Sequence, residues 1–234
     1  MVAALLDLGA DVQALKRALS SLPVDGFKIQ ILRVVKNGLD ACDFHVLLDD
    51  AHENHDHDMA YLHGNDPGHI GHHGDHEDHG HRGLPEILEI IRQADMTERA
   101  KGLAERIFRI LARAEAKAHG VPLEQVHFHE VGAVDSIVDI LAAAVCLDDL
   151  DITEAVIPRL CEGTGTIRCQ HGILPIPVPA VLRIAKEHGL PLTFTQVEGE
   201  LVTPTGAAIA AAIRTDRELP ERFTVKKTGI GAGK

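Results

Sequence analysis

The chain has 234 residues, 45% apolar and 25% charged, with a formal net charge of −12. These fractions exclude a wholly disordered chain. No uncharged stretch approaches the roughly 18 residues that cross a bilayer, so a membrane-spanning helix is excluded too. Nine acids and ten of the 16 His fall within residues 49–81, which hold no Lys or Arg; the rest of the chain sets 26 acids against 23 bases. That balance gives no large basic surface for nucleic acid.

In chain order, Leu5, Leu8, Val12, Leu15 and Leu19 trace a helix over 2–20, with a break at Gly9. Asp7 and Asp11 inside this pattern argue against a secretory leader, so a reducing, cytoplasmic setting is expected. Cys42, Cys146, Cys161 and Cys169 form no C-x-x-C pair and are expected as free thiols. Residues 27–36 and 39–48 read as two strands joined at Asn37-Gly38, a strong hairpin signal. Residues 49–82 are too poor in apolar side chains to build a core and are expected to be disordered without metal.

Helices are predicted over 84–94, with Pro85 at the start, and over 97–118, with Thr97 as N-cap and Gly120 as stop. A short strand-like piece covers 126–131, a helix 134–149 and a strand 152–158. Pro175, Pro177 and Pro179 exclude a helix over most of 161–180. Helices follow at 179–188 and from Thr205 to about 213. A last strand at 223–230 runs into a Gly-rich end at 229–233. The fold class expected is α+β: a mixed sheet with several packed helices and a disordered His-rich insertion. Residues 1–48 form a helix plus hairpin, 49–82 the insertion, and 83–234 the remainder of the same domain.

Four patterns bear on chemistry. On a strand, His127 and His129 face one side; Asp135 and Asp139, four apart, share a helical face. Two imidazoles and carboxylates suit Ni, Zn or Fe, the plain alternative being a buried His with Asp135 as a helix cap. Thr203-Pro204-Thr205-Gly206 opens a helix of small residues and suits an anion, or is simply a cap. Glu162-Gly163-Thr164-Gly165 allows close backbone approach, by a ligand or in a turn. In the insertion, His52, His55, His57, His72, His73, His76, His79 and His81 stand among carboxylates and suit late divalent metals. No P-loop string occurs.

The blocks ALLDLGAD (4–11), HFHEVGAVDSIVDI (127–140), EGTGTI (162–167), HGILPIPVPA (171–180), ELVTPTGAAI (200–209) and GIGAG (229–233) occur in order, with the His-rich segment after Asp49-Asp50-Ala51-His52. Together they resemble the LarC family of nickel insertion proteins over essentially the whole chain. The resemblance implies a cytoplasmic cyclometallase of the lyase class. It would insert Ni²⁺ into pyridinium-3,5-bisthiocarboxylic acid mononucleotide, with CTP and Mg²⁺ or Mn²⁺, to make the nickel-pincer cofactor that serves lactate racemase.

It further implies His127, His129 and Asp139 as metal residues, and Glu130 or Asp135 as the group that takes the pyridinium carbon's proton. Thr203, Thr205 and Gly206 would hold the substrate phosphate, and the insertion would collect nickel. Family members carry an upstream Asp-Cys-x-Ser-Gly-like segment and a C-terminal region associated with CTP. The CTP site is therefore expected outside this chain, on a C-terminal region or partner chain; a homo-oligomer is left open. The competing reading is a nickel-binding or storage protein without catalysis. A metal hydrolase of the amidohydrolase type is disfavoured, since the strands and helices do not alternate in eight units.

Overall fold

The computed structural model describes residues 1–49, 82–126, 128, 133–169 and 172–233. The predicted break at Gly9 separates helix α1 (Val2–Leu8) from α2 (Val12–Ser20). Gly9 stands at φ 110°, a conformation that a side chain would strain. The Asp11 carboxylate then accepts the Gln13 N–H at 2.7 Å and caps α2.

Strands β1 (Phe27–Lys36) and β2 (Leu39–Leu48) form the expected antiparallel hairpin, in register from Phe27↔Leu48 to Lys36↔Leu39. One face, bearing Phe27, Ile29, Ile31, Phe44, Val46 and Leu48, packs on the helical core. Arg33 lies on that face and joins Asp7 of α1 to Asp40 of β2.

Helix α3 (Leu84–Gln93) starts with a proline in its first turn, and α4 (Glu98–His119) is capped by Thr97, whose Oγ1 accepts the Ala100 N–H at 3.1 Å. Helix α5 (Val134–Asp149) is the centre of the molecule. Its Ile137, Val138, Ile140, Leu141 and three following alanines are all fully buried, while Asp139 among them is exposed. Helices α1, α2 and α4 pack around it.

Beyond α5 the chain forms β3 (Leu160–Thr164), β4 (Thr166–Cys169), β5 (Gly172–Pro175), α6 (Pro179–His188), β6 (Leu192–Glu198) and α7 (Pro204–Ile213). Strands β3 and β6 are parallel, and β4 and β5 form a small hairpin. The class is α+β; among the described residues the strands make three separate pairs, two antiparallel and one parallel. Helices α6 and α7 pack on α4. No helix among the described residues is long and apolar enough to cross a membrane.

Two expected strands are absent. In 152–158 only Val156 makes a ladder contact, a single bridge to Asp216. Residues 223–230 form no strand, with Phe223 and Val225 exposed, and the bridge nearby is Gly231 to Cys42, just beyond them. Both stretches have the β-like alternation but no continuous partner, and alternation alone does not make a ladder. Between Val126 and Val131, the described residues Val126 and Phe128 are not in a strand; the other four lie outside the described residues.

The Gly-rich end has a different role from a turn. A Cβ at Gly229 would sit 2.2 Å from the Ala4 carbonyl oxygen, and one at Gly231 2.9 Å from the Ala4 nitrogen. The backbone here lies directly on α1. The Ile230 N–H donates to Asp7 at 2.8 Å, and Cys42 exchanges backbone hydrogen bonds with Ile230 and Ala232.

Candidate functional site

His127, His129 and Glu130 lie outside the described residues, as do His52, His55, His57, His72, His73, His76, His79 and His81 of the insertion. Phe128 between the two histidines is fully buried, its ring edge-on to Phe108 of α4 with centroids 6.4 Å apart. Its N–H donates to the Arg82 carbonyl at 3.4 Å. A buried aromatic thus ties this part of the chain to α4.

Asp135 is the second residue of α5 and is only 7% exposed. Its carboxylate near the helix N-terminus is favoured by the helix dipole. Asp139 lies one turn further on and is exposed. The two share one side of α5, as their spacing predicts. No three His, Cys, Asp or Glu side chains among the described residues converge to hold a metal ion.

At the start of α7, Thr203 is the N-cap. Its Oγ1 accepts the Gly206 N–H at 3.1 Å, and Pro204 has no N–H to satisfy. Gly206 lies close under that cap, since a Cβ there would be 3.3 Å from Thr203 Oγ1. Thr205 is half-buried in the first turn. Thr203, Thr205 and Gly206 therefore come together at one helix end.

Sequence reasoning passed over Glu162. It is 0% exposed, the one fully buried acid among the described residues. Its Oε1 accepts three backbone N–H groups: Gly163 at 2.8 Å, Leu201 at 2.9 Å and Val202 at 3.1 Å. Oε2 is buried with no hydrogen-bond partner among the described residues. A carboxylate from β3 thus holds the loop that leads into α7. Next to it, a Cβ at Gly163 would lie 1.9 Å from the Gly199 carbonyl oxygen. The close approach that the EGTG segment permits is made by the protein's own backbone. A lone acid on a strand beside glycine was the only local signal.

The four cysteines are free thiols. Burial pushes the Cys146 thiol up to about 12, with Asp149 and Cys42 adding to the effect. Burial also raises that of Cys42. Cys161 is exposed and Cys169 half-buried.

The family model described as "Nickel insertion protein" matches residues 1–234. The chain is 54% identical over 235 residues to the pyridinium-3,5-bisthiocarboxylic acid mononucleotide nickel insertion protein of Alkaliphilus metalliredigens, covering 99% of this chain and 53% of that one. Proteins of the same name from Acetivibrio thermocellus and Geobacillus kaustophilus are each 40% identical, over 100% of this chain and 53% and 52% of theirs. The chain spans about half the length of these relatives. No solved structure matches it.

Proposed function

The chain belongs to the nickel insertion protein family, and we propose from that premise that it carries part of the machinery that inserts Ni²⁺ into pyridinium-3,5-bisthiocarboxylic acid mononucleotide. The observation behind this reading is the 54% identity, across nearly the whole chain, to a relative named for that substrate. The reaction replaces one pyridinium C–H by Ni–C and joins two thiocarboxylate sulfurs to the same ion. Nickel stays divalent, and the carbon's proton leaves to a base.

In this reading His127 and His129 handle nickel, with Asp139 on the adjoining helix. Glu130 or Asp135 takes the proton. Asp135 suits that task by its burial at the start of α5, where a carboxylate is held away from bulk water. Thr203, Thr205 and Gly206 hold the substrate phosphate at the α7 N-terminus. The His-rich segment, as one insertion in a single domain formed by 1–48 and 83–234, collects nickel from a reducing cytoplasm. The product is the nickel-pincer cofactor of lactate racemase and related enzymes, and the activity is of the lyase class.

CTP with Mg²⁺ or Mn²⁺ acts through a region outside this chain. The absence of a P-loop string and the packing of the EGTG glycine against Gly199 both support that placement. It is checked by CMP or CDP release from CTP, with and without a separately expressed C-terminal region. Turnover by the 234 residues alone overturns it.

The main test is cofactor formation at saturating nickel in a full-length protein carrying this chain. His127→Ala with His129→Ala is expected to abolish it, whereas deletion of 52–82 leaves it when nickel is in excess. Wild-type yield from the double variant overturns the assignment. Nickel bound with the mononucleotide never metallated, even at full length, selects the storage reading instead.

A further inference from the structure

Residues 217–229 join two anchored points of the fold. At one end Asp216 bridges to Val156, its carbonyl accepts the Ile157 N–H, and its carboxylate accepts the N–H groups of Arg217 and Glu218. At the other end Gly229 lies on Ala4, and Ile230 and Ala232 exchange backbone hydrogen bonds with Cys42. Residues 217–228 between these anchors are all exposed. Among the described residues, no backbone N–H or carbonyl of 219–229 makes a backbone hydrogen bond.

A solvated backbone is ordinary in a polar connection. This one carries large apolar side chains: Leu219, Phe223 and Val225 are 58%, 63% and 64% exposed. Phe223-Thr224-Val225 has the apolar–polar alternation of a half-buried strand, and Phe and Val are residue types that strands bury. The stretch is bounded by Pro220, which has no N–H to give a ladder, and by Lys226-Lys227, a residue type that guards strand edges against open-ended pairing. Its chemistry admits a short, dedicated partner strand and disfavours indiscriminate association.

We propose that residues 221–227 are a docking strand for the part of the full-length protein that lies outside these 234 residues, which adds a β-strand alongside them and covers Phe223 and Val225. The relatives matched above are about twice as long as this chain, so a region of comparable size shares the molecule. Held in the same polypeptide, that region meets the stretch at an effective concentration of order millimolar, which a second copy free in solution does not reach. Strand addition answers both deficits together. Main-chain hydrogen bonds take up the free N–H and C=O groups, and alternate side chains enter an apolar surface. The pinned ends already restrict the span, which lowers the ordering entropy that docking costs. The proposal uses no residue assigned to nickel, proton or phosphate and does not rest on the nickel insertion reading.

The test uses the full-length protein carrying this chain, with the photo-crosslinking substitution Phe223→p-benzoylphenylalanine and the product mapped by mass spectrometry. A crosslink within one molecule, to a residue outside the 234, is expected. Mixing isotope-labelled with unlabelled protein separates it from a crosslink between copies. Attachment to another copy, attachment within the 234 residues, or no attachment overturns the proposal. Hydrogen exchange gives a second measurement: amides of 221–227 should exchange at least about tenfold more slowly than in a free peptide. Val225→Asp should restore rapid exchange there and leave the rest of the chain unchanged, because Val225 is largely exposed in this fold. Val35→Asp, at another exposed apolar position, should leave the protection in place. Rapid exchange at 221–227 in the unsubstituted protein overturns the proposal, as does protection that survives Val225→Asp.

Discussion

The two ends of α7 solve the same problem with groups of opposite sign. At the N-terminal end the exposed backbone donors and those of the preceding loop are met by the chain itself: Thr203 takes the Gly206 N–H, and the buried Glu162 takes those of Leu201 and Val202. The helix dipole's preference for an anion is answered by a built-in carboxylate. At the C-terminal end the Ala212 carbonyl accepts from Arg106, and the dipole's preference for a cation there is answered by that guanidinium. Both ends are closed electrostatically, each by a side chain of the sign the dipole favours. A helix end is thus not a site by virtue of being one; what matters is whether the fold has already supplied its counter-charge.

The strongest way to break the N-terminal end is Glu162→Ala. Three N–H groups would lose a charged acceptor inside a packed site, and a loss of about 4 kcal/mol is expected by urea denaturation. Glu162→Gln keeps one acceptor oxygen and should recover part of that loss; equal stability of both variants with wild type would show that the carboxylate holds nothing. Gly163→Ala comes next. Its methyl would meet the Gly199 carbonyl, so β3 and the 199–202 loop must separate, at about 2–3 kcal/mol. Thr203→Ala removes only the cap hydroxyl, worth about 1 kcal/mol in the same measurement.

The smallest effect sharpens the other end. Burial holds the His188 imidazole below its ordinary 6.5, with Arg113, Arg214 and Lys117 acting the same way against Glu187. The unfolded chain therefore takes up this proton first as pH falls. The stability that His188 contributes is present above about pH 6.5 and is lost below it. Melting temperatures at pH 7.5 and 5.5 should differ less in His188→Gln than in wild type. An unchanged difference would mean that burial of His188 does not set this part of the pH dependence.

The helices were legible because their punctuation is local. Gly9, Thr97, Gly120 and Gly189 each mark a boundary by their own chemistry, and the structure places a boundary at each. The strands depended on partners far along the chain. Residues 152–158 and 223–230 have the right alternation and no ladder, whereas Leu192–Glu198, not singled out by its pattern, becomes a strand because β3 lies beside it. The candidate site divides in the same way. Thr203, Thr205 and Gly206 are neighbours in sequence and could be read together. Glu162 is 39 residues from Leu201, and only the fold brings it there.

The glycines at 229 and 231 let a backbone strip lie flush on the first helix, with Ile230 reaching Asp7 across 223 residues of sequence. A contact of that separation closes one of the largest loops the chain can make, and such closures come late and slowly. During synthesis α1 leaves the ribosome some 220 residues before its cover. Through that interval the apolar flank of α1 is available to α5 and β2 alone. The 229–232 strip acts as a latch over α1, and native-state hydrogen exchange would register it as an opening unit of its own.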